Sequence, residues 1–319
     1  MGIFNKNKDT LSFRGRGAFL SEIRRNKTLL IMLLPAVALV FVFAYMPMGG
    51  MVLAFKQFKY DDGIFGSPWV GFNNFKFFFL SGQAFRVTLN TFLYNLAFIV
   101  VNTVLQIGLA VMLSELTGKY FKKLTQSFIF LPYFVSWVIV GSIAYNLLNY
   151  ESGSLNSLLG ILGLEPVNAY AEPSWWKYII VIFSAWKNVG YGMIVYLAAV
   201  MGIDTQLYES SEIDGANIFQ RIRHITLPSI TPTMVTLVLL EVGKIFRGNL
   251  DLFYQLIGNN GMLFDATDVI DTFVFRSLTQ SGEIGMAAAT GFYQSVLCFV
   301  TIILVNGIVK RVQKDYALF

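Results

Sequence analysis

Long apolar runs, separated by short stretches that hold nearly all the charges, dominate this 319-residue chain. Six of the runs are long enough to cross about 30 Å of hydrocarbon at about 20 residues each. They cover approximately Thr28–Gly49, Thr88–Leu113, Thr125–Leu148, Trp176–Met201, Ser229–Phe246 and Ile284–Val309. Hydrocarbon penalises charge and offers the backbone no hydrogen-bond partner, so each run must satisfy its own peptide groups. The charged fraction, 13%, is far below the roughly 25% of a soluble domain. The expected fold is therefore an all-α polytopic membrane protein with six transmembrane helices. The first run reads as a retained span: the basic stretch before it is long, and no small-x-small cleavage site follows closely.

Orientation follows from the lysines and arginines, which favour the cytoplasmic side. Lys6, Lys8, Arg14, Arg16, Arg24, Arg25 and Lys27 precede the first span. Lys119, Lys122 and Lys123 follow the second, Arg221 and Arg223 the fourth, and Lys310, Arg311 and Lys314 the sixth. The opposite loops, 50–87, 149–175 and 247–283, are richer in acid. Both termini are thus expected in the cytoplasm, with residues 1–27 a basic tail and 28–315 a transmembrane domain. This topology also accounts for a pI near 9.1 without nucleic acid as a partner.

Several chemistries are excluded. One cysteine, Cys298 inside an apolar run, and one histidine, His224, rule out a disulfide framework and a multi-histidine metal centre. No G-x-x-x-x-G-K-[ST] pattern occurs, so the chain cannot hydrolyse ATP through that motif. There is no H-E-x-x-H, no paired intramembrane Asp and no credible Ser/His/Asp set, which argues against a membrane enzyme. Six spans without an inverted repeat argue against an autonomous secondary transporter.

The loop between the fourth and fifth spans carries the strongest motif. Asp204 is a plausible N-cap for a short helix over residues 205–214. Gly215 suits the left-handed conformation that ends a helix. A second short helix is expected over residues 216–224, with Ile218, Phe219, Ile222 and Ile225 at helical spacing. Pro228 then falls where the fifth span begins, a position in which a missing N–H costs nothing. On these features alone, the loop reads as an amphipathic segment lying on the inner leaflet. Its spacing goes further. Glu209-Ser210-Ser211 is followed after three residues by Gly215, and after nine more by Ile225-Thr226-Leu227-Pro228.

This pattern resembles the E-A-A, three residues, G, nine residues, I-x-L-P signature of permeases of ATP-binding-cassette (ABC) importers, with Ser-Ser in place of Ala-Ala. Over residues 28–315 the chain resembles the larger permease subunit of carbohydrate-uptake importers, the maltose-transporter group. Trp69-Val70-Gly71-Phe72-Asn73-Asn74-Phe75, Asn90-Thr91 and Leu131-Pro132 are similar to further family motifs. The stretch from Thr267 to Arg276 is similar to a branch handling oligosaccharides or polysaccharide fragments. The resemblance implies a type I importer permease fold in a bacterial cell membrane, with an accessory first span. It implies a second homologous permease, an ATPase dimer carrying ATP and Mg, and an extracellular or periplasmic substrate-binding protein. It implies that no cofactor and no catalytic step belong to this chain. The coupling loop, residues 202–228, would then dock on the ATPase through Tyr208, Glu209, Ser210, Ser211, Asp214, Gly215, Phe219, Ile222, Leu227 and Pro228. Glu209 would meet a positive group, Gly215 would set the angle between the helices, and Phe219 or Ile222 would fill an apolar pocket. A non-sugar solute such as an amino acid, polyamine or phosphate remains open, since the signature serves those importers too.

Polar residues inside spans are expensive and usually face the bundle interior. Trp186, Asn188 and Tyr191 in the fourth span combine stacking rings and an amide, as sugar binding requires, and equally suit packing or an aromatic belt. Glu241, Lys244 and Arg247 recur every three residues and should share one face, either as an ion-pair chain, as an acidic-sugar site, or snorkelling outward. Asn249, Asp251 and Tyr254, just beyond them, could touch substrate or the binding protein, and Tyr293 and Gln294 are candidates in the sixth span. The stripe Asn90, Asn95, Asn102 and Gln106 in the second span reads better as interhelical hydrogen bonding than as pore lining.

Overall fold

A computed structural model describes residues 25–312. The tail residues Lys6, Lys8, Arg14, Arg16 and Arg24, with Lys314, lie outside them. The described residues divide into two compact units, with the boundary between Val52 and Leu53. In the first, helix α1 (Lys27–Val40) continues through a π turn, Phe41–Tyr45, into a 3-10 segment, Met46–Phe55. Pro35 is accommodated inside α1.

The second unit opens with a short segment that is tied down by side chains. The buried Lys56 ammonium donates to the carbonyls of Ile64 and Phe65 and lies 5.0 Å from the Trp69 ring centre. Asn74 Nδ2 donates to the carbonyls of Ala54 and Lys56 at 3.0 and 2.9 Å. The outer-loop motif Trp69–Phe75 is thus a set of anchors for otherwise irregular backbone. Two short helices, α2 (Gly63–Gly66) and α3 (Asn73–Leu80), lead into the second span, α4 (Gln83–Ser114).

After α4 come α5 (Lys119–Phe130), α6 (Trp137–Leu148), α7 (Ser154–Ile161) and the long α8 (Pro173–Met201). The third span is not the single helix expected over 125–148. It starts earlier, at Lys119, and is two helices bent by 96° around Leu131–Ser136. Pro132 lacks an N–H, Val135 and Ser136 are extended, and the Ser136 side chain caps the next helix, so the break is written locally. Each half, at 12 residues, rises about 18 Å, too short to cross hydrocarbon alone.

The long helices meet at glycines. A Cβ on Gly192 of α8 would lie 2.1 Å from the Gln106 side chain of α4, and one on Gly190 would lie 2.3 Å from the Ile129 carbonyl of α5. Close approach of this kind supplies the van der Waals contact that holds membrane helices together. Ala110, Leu113, Met193, Tyr196, Leu197, Val200 and Ile230 form one buried cluster there. A second cluster joins Tyr94 of α4, Val140 and Ala144 of α6, and Trp176 and Ile180 of α8 to α12 (Leu250–Ile257).

The loop after α8 holds α9 (Thr205–Ile213) and α10 (Ile218–Arg221). Here too the structure departs from the sequence reading. The second short helix is not separate from the fifth span: α10 runs through a π turn, Ile222–Thr226, directly into α11 (Leu227–Val242). Pro228 therefore sits within a continuous helical span, Ile218–Val242, rather than opening one. A proline inside a helix removes one hydrogen bond and crowds the preceding turn, and the widened turn before it relieves that crowding.

Beyond Val242 the chain forms tight turns before α12, then α13 (Phe264–Thr267), α14 (Ile270–Thr279) and the sixth span, α15 (Ile284–Val312). Helices α13 and α14 are fastened to α4. Asn90 Nδ2 donates to the carbonyls of Asp265 and Asp268, and Thr91 Oγ1 accepts from the Ile270 amide at 2.9 Å. Asn95 reaches the Arg247 carbonyl at 3.2 Å. Asn90 thus ties α4 to the α13–α14 region, while Asn95 bonds both Thr91 of its own helix and the turn that follows α11.

Candidate coupling loop and substrate-path residues

Helix α9 begins as its sequence predicts, with Asp204 Oδ1 accepting from the Gln206 amide at 3.0 Å. It ends at Gly215, whose φ of +78° places it in the left-handed region. The Gly215 amide donates to the Glu212 carbonyl at 3.0 Å, and the Ala216 amide reaches back to Ser211 at 2.9 Å. These two bonds satisfy carbonyls that a helix end leaves open. Helix α10 starts with a reciprocal cap. Asn217 Oδ1 accepts from the Gln220 amide, and Gln220 Oε1 accepts from the Asn217 amide.

Three contacts close the two arms on each other. Tyr208 Oη and Thr226 Oγ1 share a hydrogen bond of 2.8 Å, and the Thr226 end is fully buried. Arg221 pairs with Glu212. The Schellman-type turn at Gly215 joins the arms at their apex. Ser210 and Ser211 each turn the hydroxyl onto a carbonyl of their own helix, Leu207 and Tyr208 respectively. Small residues with internally satisfied hydroxyls leave the α9 surface about as close-packing as alanines would. Phe219 is 79% exposed, whereas Ile222 is half-buried against its own chain. Of the two apolar candidates, Phe219 is the one that projects. Glu209, Asp214, Leu227 and Pro228 are exposed as well.

The fourth-span candidates are split apart. At 100° per residue, Trp186 and Tyr191 lie about 140° from each other around α8. Trp186 continues an exposed stripe of Trp175, Tyr178 and Ile182. Tyr191 instead faces the break in the third span. Its ring stacks on Tyr133 at 4.9 Å and 17°, and Tyr133 is parallel to Phe130 at 5.8 Å and 8°. Phe134 stands edge-on to Phe130 at 4.9 Å. Tyr133, Phe134 and Tyr191 are partly or largely exposed. Asn188 donates to the Ser184 carbonyl of its own helix at 2.9 Å.

The remaining candidates are mostly engaged within the chain. Glu241, Lys244 and Arg247 lie where α11 gives way, after Val242, to i→i+3 turns that run through Arg247. Lys244 lies 3.9 Å from Glu241, both well exposed, which makes the pair a weak one. Asn249 caps α12 by accepting from the Leu252 amide, Asp251 is exposed in its first turn, and the Tyr254 ring packs edge-on against Phe275. Tyr293 hydrogen-bonds Thr88 at 3.2 Å. Gln294 donates to the Phe246 carbonyl and to Asp271 Oδ2 at 2.9 and 2.7 Å. The sequence singled out Tyr191 but not Tyr133 or Phe130, which sit beside the Leu131-Pro132 pair; the Tyr133 ring meets that of Tyr191 only in three dimensions.

With this geometry in place, residues 106–314 match the family described as the binding-protein-dependent transport system inner membrane component. The chain belongs to that family. It is 32% identical to protein LplB of Bacillus subtilis (strain 168) over 94% of each chain. It is also 32% identical to the polygalacturonan/rhamnogalacturonan transport system permease protein YteP of the same organism, over 97% of this chain and 94% of that one. Among solved structures, a bacterial alginate ABC transporter in complex with an alginate pentasaccharide-bound periplasmic protein superposes with a TM-score of 0.83. That match has 32% identity and covers 92% of this chain and 98% of the other. The fold is that of an ABC importer permease, and the chain is a membrane component of such a transporter.

Proposed function

We propose that this permease moves oligosaccharides or polysaccharide fragments into the cell, and that the α9–α10 element couples the movement to ATP hydrolysis on separate subunits. The observation that carries the coupling reading is the exposed element itself. Two capped arms are locked together by Tyr208–Thr226 and Glu212–Arg221, while Glu209 and Phe219 point outward with no partner among the described residues. The second arm is continuous with α11, so a push on the loop is delivered along a helix rather than absorbed by a flexible joint. Lysines and arginines flanking the spans support a cytoplasmic position for the loop and both termini.

The saccharide reading draws support from the relatives that handle polygalacturonan, rhamnogalacturonan and alginate. The Phe130–Tyr133–Tyr191 stack offers flat aromatic faces for the C–H surfaces of sugar rings, and we assign the path to that side of α8. A second permease of the same family, an ATPase dimer with ATP and Mg, and an external binding protein complete the machine.

Two measurements test this. Glu209→Lys and Phe219→Ala, in an assembled complex, should abolish the ATPase stimulation produced by loaded binding protein. If stimulation and uptake persist in both, the coupling reading is wrong. A panel of malto-, galacto-, galacturono- and alginate oligosaccharides, offered to the cognate binding protein, should yield at least one glycan that stimulates the complex. Stimulation by amino acids or phosphate alone would refute the saccharide reading.

A further inference from the structure

The broken third span turns several carbonyl groups out of a regular helix, and a lysine from another span bonds them, sharing that of Pro132 with the Val135 amide. Lys187, in the middle of α8, is 7% exposed. Its ammonium donates to the carbonyls of Tyr133 at 2.8 Å, Pro132 at 3.4 Å, and Val135. The same group lies 5.7 and 5.3 Å from the ring centres of Tyr133 and Trp137, within cation–π range. Irregular backbone at membrane depth persists only where protein satisfies it. Charge-assisted bonds to carbonyls are the strong ones, and a single ammonium with three donors fits three converging oxygens. Two residues about one turn beyond Lys187 on α8 are also specialised. Gly190 lets the α5 backbone approach, and Tyr191, one helical turn from Lys187, stacks on the ring whose carbonyl Lys187 holds.

We propose that Lys187 is a positioning residue for transport: it pins the 131–136 break so that the parallel rings of Tyr133 and Tyr191, with Phe130 beside them, stay in place as a sugar-facing surface. This rests on the assignment of the substrate path to the Tyr191 side of α8. Lys187 itself is buried behind that surface and acts through the backbone of Tyr133.

The test uses the whole transporter in liposomes, with the binding protein loaded with the glycan that stimulates best in the panel above. Lys187→Met should import at least tenfold more slowly. ATP hydrolysis stimulated by the binding protein should fall less than threefold, so that more ATP is consumed per saccharide. Lys187→Arg, which keeps charge and donors, should restore import to within threefold of wild type. Tyr133→Ala should also lose at least tenfold, and adding Lys187→Met to it should cost no more than a further twofold, because both act through one surface. Import within twofold of wild type in Lys187→Met overturns the proposal, as do losses that multiply in the double variant, or hydrolysis and import falling together. If Tyr133→Ala and Tyr191→Ala both import normally, the path assignment fails and the proposal falls with it. If they are impaired while Lys187→Met is not, only the role of Lys187 falls. Should Lys187→Met not assemble, Lys187→Gln takes its place against the same thresholds.

Discussion

Gly215 is the point at which the coupling element can be tested with the fewest confounding contacts. A Cβ built there meets no atom within 4 Å, so a larger residue causes no clash inside the chain. What it meets is backbone strain, because φ is +78°. An alanine in the left-handed region costs about 1–2 kcal/mol, while asparagine, which visits that region more readily, costs less. At about 1.4 kcal/mol per factor of ten, alanine should lower the population of the closed two-arm element by roughly 5- to 30-fold. Proline is worse on two counts. Its φ is locked near −65°, and it deletes the amide that donates to Glu212. The expected order of glycan uptake by the reconstituted complex is therefore glycine and asparagine first, alanine clearly slower, and proline inactive. Circular dichroism and assembly should be unchanged for the asparagine and alanine variants, since the spans are untouched. The reasoning is refuted if asparagine is as damaging as proline, which would mean a partner surface excludes any side chain there. It is refuted equally if proline transports normally.

Three further outcomes follow from the packing. Gly190→Ala should destabilise the solubilised permease by about 1–3 kcal/mol, because the new methyl would press on Ile129 and Phe130 backbone that cannot give way. Gly291→Ala, which meets nothing within 4 Å, is the control, and equal melting temperatures for the two variants would contradict the account. Arg276→Met should cost about 3–5 kcal/mol, since it strands the Asp268 carboxylate, whose side chain is 1% exposed. Thermal unfolding of the intact complex reads this directly, and a loss under 1 kcal/mol would show that the pair is dispensable. Asp271 offers a pH test. Burial raises its carboxyl above the usual range, opposed by bonds from the Gly248 amide and Gln294. The protonated form is thus favoured in the fold, and this contribution to stability is present below the unfolded carboxyl value and is lost as pH rises through the folded one. Asp271→Asn should therefore melt at or above wild type at pH 7, with the difference shrinking towards pH 4. A variant that melts lower at pH 7 than at pH 4, relative to wild type, would reverse the sign and refute it.

Much of the coupling loop was legible in the linear sequence because its determinants are local. Asp204 caps a helix whose first amides are two residues away, and Gly215 ends it because no other residue adopts its backbone conformation as cheaply. The continuity of α10 with the fifth span was not legible. Pro228 reads as a start signal, yet a π turn absorbs it within a longer helix, a choice that depends on Thr226 being buried and tied to Tyr208. Sequence spacing also treated Phe219 and Ile222 alike, and only packing separates the projecting ring from the covered one.

The wider division has the same origin. Six apolar runs determine how many times the chain can cross, because transfer into hydrocarbon is a property of each segment by itself. The residue spacing of the loop after the fourth span carries the resemblance to the family. The tertiary structure alone decided the shape of the third span, the separation of Trp186 from Tyr191, and the stack that joins Tyr191 to Tyr133. Each of these depends on groups far apart in the chain. The 96° break survives because an ammonium more than fifty residues away satisfies its carbonyls, and no window of hydropathy contains both.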